Sequence, residues 1–301
     1  MEKRILVAIG ISLVILTAWS VISPKGSAPG HNSAIPDVSM STEDPGKAPV
    51  EKAVEIKEEI ATGELSLDPY IIEIVDNNGV IKNVHFKKYN GNLRLEKGFY
   101  LKNEYTGKGN TVTSSKTITY TNNKDKLEVT KSLKLDNNYS GELVVTLKNM
   151  SNLKIKTDLQ LILGLLDFED PVNGQFSDAT VGTNEKTLHW NGKSNQSRES
   201  ATFIGLRNRY FTAIIEPAAK NYKAYVHKID NKYSEVGISS PEITIPPNDV
   251  VVEKFSIYMG PLDLKYINPL NFAWGGVVNF GMFDIISHTL LKLLEILHGI
   301  V

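Results

Sequence analysis

The sequence predicts a mainly β protein, an antiparallel β-sandwich preceded by an N-terminal transmembrane helix and followed by a C-terminal amphipathic helix. Three observations predict it. Short runs alternate apolar and polar residues with period two between about residues 64 and 262, as strands with one dry face do. An uncharged apolar run, Ile5 to Ile22, opens the chain. From Met282 onward the apolar spacing turns helical and leaves one narrow polar stripe.

The chain has 301 residues, 41% hydrophobic and 22% charged, which suits a protein that buries a core. Its formal net charge is -1, so it carries no field to recruit a polyanion, and no nucleic-acid partner is expected. It contains no cysteine. Disulfides, thiolate metal sites, cysteine nucleophiles and lipoprotein-type acylation are thereby excluded.

Residues 1–24 read as a short cytoplasmic start and a membrane anchor. Ile5, Leu6, Val7, Leu13, Val14, Ile15, Leu16 and Trp19 belong to a stretch with no charge between Arg4 and Lys25. As a helix, Ile5 to Ile22 rises about 27 Å, close to the hydrocarbon thickness of a bilayer. Trp19 falls near the far end, where an indole favours the headgroup region, and Lys3 and Arg4 hold the N-terminus in the cytoplasm. The competing reading is a cleavable signal peptide. Its apolar region is usually shorter, and here the nearest small-x-small triplet, Gly26-Ser27-Ala28, is followed by Pro29. Residues 25–63 are rich in proline, glycine, serine and charge, and read as a flexible tether.

Residues 64–262 carry the strands. Tyr70–Val75 leads through Asp76-Asn77-Asn78-Gly79, a hairpin turn, to a returning strand over Val80–Tyr89. Further strands are predicted at Thr111–Tyr120, Leu127–Leu135, Glu142–Lys148 and Lys154–Leu165. Later ones fall at Ala201–Leu206, Phe211–Glu216, Lys223–Lys228 and Val250–Tyr258. No long helix-period segment interrupts them, so one antiparallel sandwich is expected.

Residues 263–301 form the last segment. Asp284, His288, Lys292 and Glu295 align along one stripe of a helix, and Phe283, Ile286, Leu290, Leu293, Leu294 and Leu297 belong to its broad apolar face. Such a helix suits a membrane interface, and packing on the β domain is the alternative. Trp274, Phe280 and Phe283 favour the interface.

Chemical motifs are sparse. There is no phosphate-binding glycine loop, no HExxH and no nucleophile elbow. His31, His85, His189, His227, His288 and His298 are scattered without ligand spacing. No catalytic, metal or cofactor site is expected. Asp167-Phe168-Glu169-Asp170 is the densest acidic cluster. It reads as a polar loop in preference to a calcium or glycosidase site. Arg207 and Arg209 read as solvent-facing residues at the start of a strand, with anion binding as the sharper alternative. Asn138, Asn149 and Asn195 each stand in an Asn-x-Ser triplet.

Four stretches resemble the N-terminal region of the bacterial YidC branch of the Oxa-type insertase family. The opening Met1-Glu-Lys-Arg-Ile-Leu before a lone apolar helix and tether is the first, and Asp76 to Tyr89 is the second. The third is Phe203-Ile-Gly-Leu-Arg-Asn-Arg-Tyr-Phe-Thr-Ala-Ile-Ile-Glu-Pro217. The fourth is Ile257-Tyr-Met-Gly-Pro-Leu-Asp-Leu264, followed by Phe280–Ser287 and Leu290–His298. The resemblance implies a periplasmic β-supersandwich of mutarotase-like shape at the inner membrane. It also implies that the bilayer, nascent inner-membrane proteins and the Sec translocon are partners in insertion, folding and assembly. Family members continue into membrane spans with a functional arginine, whereas these residues stop at Gly299-Ile300-Val301, so the insertase core is expected to be missing.

Two other functions compete. One is a stand-alone membrane-anchored extracytoplasmic binding module for carbohydrate or peptide. The other is a mutarotase-like enzyme, which needs a histidine and a glutamate converging in a cleft.

Overall fold

The structure is a computed structural model that describes residues 62–75, 79–102, 109–124 and 126–278. All of these belong to one of the chain's two units, Lys57–Val301, the other being Met1–Ile56. The anchor residues, most of the tether and the helix from Met282 onward lie outside the described residues. Among the described residues no helix is long and apolar enough to cross a membrane.

The strands follow in order: β1 (Thr62–Ser66), β2 (Tyr70–Val75), β3 (Val80–Phe86), β4 (Gly91–Gly98), β5 (Tyr100–Leu101), β6 (Asn110–Thr113) and β7 (Thr117–Lys124). Next come β8 (Leu127–Leu135), β9 (Ser140–Asn149), β10 (Ile155–Thr157), β11 (Gln160–Asp167), β12 (Asp178–Gly182) and β13 (Thr187–Trp190). The last are β14 (Gln196–Arg198), β15 (Phe203–Arg207), β16 (Phe211–Pro217), β17 (Lys223–Lys228), β18 (Tyr233–Ser239), β19 (Ile243–Ile245) and β20 (Val250–Pro261). A nine-stranded sheet runs β13-β12-β15-β16-β20-β9-β8-β7-β6, and a five-stranded sheet runs β14-β17-β18-β11-β5. A four-stranded sheet, β1-β2-β3-β4, and the pair β10-β19 complete the sandwich.

Alternation accounts for the strands that have one dry face. In β8, Leu127, Val129, Leu133 and Leu135 point into the core while the residues between them are partly or fully exposed. The same alternation carries Lys131 inward. By contrast, β15 and β16 read as continuous apolar runs because both of their faces are covered. The cover is the chain after β20, a short helix α1 (Leu264–Ile267) and a 3-10 turn over Phe272–Val277 that packs on β12 and β15. Trp274 and Val277 are buried there. Trp274 Nε1 and Asn271 Nδ2 both donate to Glu216 Oε2 at 2.6 Å. This corrects the reading of Trp274 as a membrane-interface residue. Its indole packs against the β domain, and its one polar atom is satisfied inside it.

Two predicted strands are each split. Thr111–Tyr120 is a hairpin, β6 and β7, closed by Ser114 N donating to Thr117 O. Lys154–Leu165 breaks at Asp158-Leu159 into β10 and β11, which join different sheets.

Candidate functional site

A cleft of about 780 Å³ opens where four loops meet. Tyr89 to Asn92 come from the β3–β4 hairpin, Asp170 to Asn173 from the loop after β11, Asn208 to Phe211 from the β15–β16 turn, and Pro261 to Asp263 from the end of β20. Three of the stretches that carry the family resemblance thus supply walls of one cleft, although more than a hundred residues separate the first from the other two.

The lining is mainly apolar and aromatic. Phe211 stacks on Phe86 with centroids 4.2 Å apart and planes 7° from parallel, and Tyr89 meets Phe211 edge-on at 6.0 Å. Gly91 makes this possible, because a Cβ there would lie 2.5 Å from Phe211 Cε2. Tyr89 Oη donates to Tyr266 Oη at 3.3 Å, and Lys88 Nζ approaches the same oxygen at 3.4 Å. The hydrogen bond from Tyr89, joined by Lys88, holds the Tyr266 phenol below its ordinary pKa. Val172 and Tyr210 stand exposed at the mouth.

Two polar side chains fix the rim. Asn208 is buried. Its Oδ1 accepts from the Tyr210 and Phe211 amides at 2.9 and 2.8 Å, and its Nδ2 donates to Asn92 O at 3.0 Å. That locks the β15–β16 turn to the β3–β4 hairpin. Asp170 Oδ1 accepts from the Val172 and Asn173 amides at 2.8 and 2.9 Å. Desolvation pushes the Asp170 carboxyl up, but the Asn173 and Val172 hydrogen bonds and nearby Arg94 outweigh it and hold the group below its ordinary value. The acidic cluster is therefore loop architecture. Asp167 likewise accepts from the Glu169 amide at 3.0 Å. Among the described residues no group of three histidine or carboxylate side chains is placed to hold a metal.

The remaining sequence candidates find structural roles. Arg207 ends β15 and donates through Nε and Nη2 to Asp178 at 2.7 and 2.6 Å, so it is paired and largely buried, not solvent-facing. Arg209 lies over the Phe176 and Tyr210 rings at 4.8 and 5.2 Å. Asn149 is fully buried, with Nδ2 donating to Leu153 O, Ile245 O and Pro246 O, so its triplet is not a glycan acceptor. His85 and His189 contact Asn92 and Thr180, and among the described residues no histidine lines the aromatic cleft. His227 stands opposite Glu235 across the β17–β18 ladder, in a second and polar pocket. The Glu235 carboxylate is already engaged by Lys102 Nζ at 2.7 Å and Tyr225 Oη at 3.2 Å.

The sheet order defines a mutarotase-like β-sandwich. Solved structures of the same fold include a galactose mutarotase-like protein from Lactobacillus casei, with a TM-score of 0.50 and 8% identity over 66% of this chain and 100% of that one. A galactose mutarotase related enzyme from Lactobacillus acidophilus gives a TM-score of 0.50 and 8% identity over 66% of this chain and 97% of that one. At such identity the likeness is one of fold alone. The chain belongs to the YidC periplasmic domain family, which matches residues 97–293. Similar curated proteins are named membrane protein insertase YidC. The one from Cupriavidus pinatubonensis is 30% identical over 111 residues, covering 36% of this chain and 20% of that protein. The one from Geotalea uraniireducens is 23% identical over 172 residues, covering 54% and 32%. The chain thus spans a third or less of the length of these relatives.

Proposed function

We propose that this chain is the periplasmic portion of a YidC-type insertase at a bacterial inner membrane. In this reading residues 1–24 anchor it with the N-terminus in the cytoplasm, residues 25–63 tether the domain, and the amphipathic segment from Met282 onward rests on the bilayer surface. The β domain works without catalysis. It holds an extended apolar segment of a nascent inner-membrane protein while that protein is inserted and folded, with or without the Sec translocon.

The family match over 97–293 carries this reading, because it covers most of the sandwich and its core. The aromatic cleft supplies the chemistry. Phe211, Leu262, Pro171 and Val172 offer apolar surface, and the Asn90 and Asn173 amides can meet the backbone polar groups of an extended chain. A photo-crosslinking residue at Val172 or Tyr210, introduced in cells synthesising an inner-membrane protein, tests it. Adducts with the nascent chain are expected there and not from Val112, which is exposed on edge strand β6. Equal adduct yields at all three positions contradict the reading.

A further inference from the structure

We propose that the polar pocket on the five-stranded sheet is a saccharide-binding site, separate from the aromatic cleft, whose floor is the Tyr225 ring. The pocket has a volume of about 480 Å³, within the range of small-molecule sites. On β17 the alternation sends Ala224 and Val226 into the core and Lys223, Tyr225 and His227 to the other face. The residue opposite Tyr225 is Gly237. A Cβ there would lie 2.7 Å from Tyr225 Oη and 2.8 Å from Cζ, so the absence of a side chain lets the ring lie down across the sheet.

Glu235 fixes that posture. It is buried, with its side chain 3% exposed, and it accepts from Tyr225 Oη at 3.2 Å and Lys102 Nζ at 2.7 Å. Burial and this carboxylate push the Tyr225 phenol well above its ordinary pKa, so it stays a donor. Around the ring stand the amides of Gln160 and Asn195, the hydroxyls of Ser197 and Ser239, and His227.

The two lysines that line the pocket each have a carboxylate partner, and a third carboxylate, Asp158, accepts from Gln160 Nε2 at 2.7 Å. Lys102 pairs with Glu235, and Lys223 pairs with Glu199 at 3.1 Å. A fixed aromatic face ringed by amides, hydroxyls and the two paired lysines matches a sugar ring, which presents apolar C–H bonds on its faces and hydroxyls around its edge. With both lysines paired and Asp158, Glu199 and Glu235 close by, a phosphate or carboxylate ligand is disfavoured. Glu235 acts as a positioning residue.

The test is saturation-transfer NMR on the full purified chain with glucose, galactose and N-acetylglucosamine as probes and glycerol as the control. Ring C–H protons of at least one sugar should receive saturation. The affinity should fall tenfold or more in Tyr225→Ala and in Ser197→Leu, the latter filling the pocket from an exposed position directly opposite Tyr225. If Tyr225→Ala does not fold, Ser197→Leu decides. No transfer from any of the three sugars, transfer matched by glycerol, or an unchanged signal in a folded variant overturns the proposal.

Discussion

Lys131 donates from Nζ to the carbonyl oxygen of Phe99 at 2.7 Å, deep inside the sandwich. The same ammonium donates to Gly79 O at 2.6 Å and lies 5.7 Å from the centre of the Tyr120 ring. One side chain of the nine-stranded sheet thus grips both ends of the β3–β4 unit. Phe99 has φ of 55°, a left-handed conformation that is strained for a bulky residue. The lysine therefore braces a corner that the backbone alone disfavours.

Burial lowers the Lys131 pKa from 10.5 to about 7. Between those values the unfolded chain binds more protons at this site than the folded one, so stability rises with pH across that window. It is lowest below pH 7, where the buried amine is charged. The unfolding free energy from urea titrations should increase from roughly pH 6.5 to roughly pH 9, by at most about 1.4 kcal/mol per unit of pH. Lys131→Met should flatten that rise. An equal slope in the variant would assign it to other groups.

Replacing Gly91 by valine forces branched atoms into the Phe211 ring and breaks its stack on Phe86. Overpacking of this kind costs about 1–3 kcal/mol, read as a lower denaturation midpoint. An unchanged midpoint would mean that the ring moves freely aside.

Asn208→Asp keeps the acceptor for the Tyr210 and Phe211 amides but turns the donor towards Asn92 O into a second acceptor. A loss of about 1–3 kcal/mol is expected, with faster hydrogen exchange at Phe211 than in the native chain. Equal exchange would remove Asn208 from the rim's architecture.

Glu216→Leu leaves Trp274 Nε1 and Asn271 Nδ2 without their shared acceptor. Limited proteolysis should then cut between residues 264 and 278 well before it cuts the strands. Cleavage at the native rate would show that apolar packing of Trp274 and Val277 alone holds this segment.

How much of this was legible in the sequence depended on sidedness. β8 and β17 have the predicted bounds, Leu127–Leu135 and Lys223–Lys228, because each has one wet face and clear alternation. β18 escaped notice. Glu235 and Gly237 break its apolar pattern, and its outward face answers to Tyr225, not to solvent. β6 and β7 merged into one expected strand because Ser114-Ser115-Lys116 lacks glycine or proline to mark a turn. The aromatic cleft was present as family-like stretches ending at Tyr89 and spanning Phe211 and Pro261. Their convergence depends on pairings between distant strands, which local spacing does not encode.

The most direct test of the account is the side and tether of the sandwich in the cell. Membranes washed with carbonate should retain the whole chain, and protease added to spheroplasts should remove the β domain while a cytoplasmic marker survives. A shortened protein released by the wash, or a domain protected until the inner membrane is broken, would contradict it.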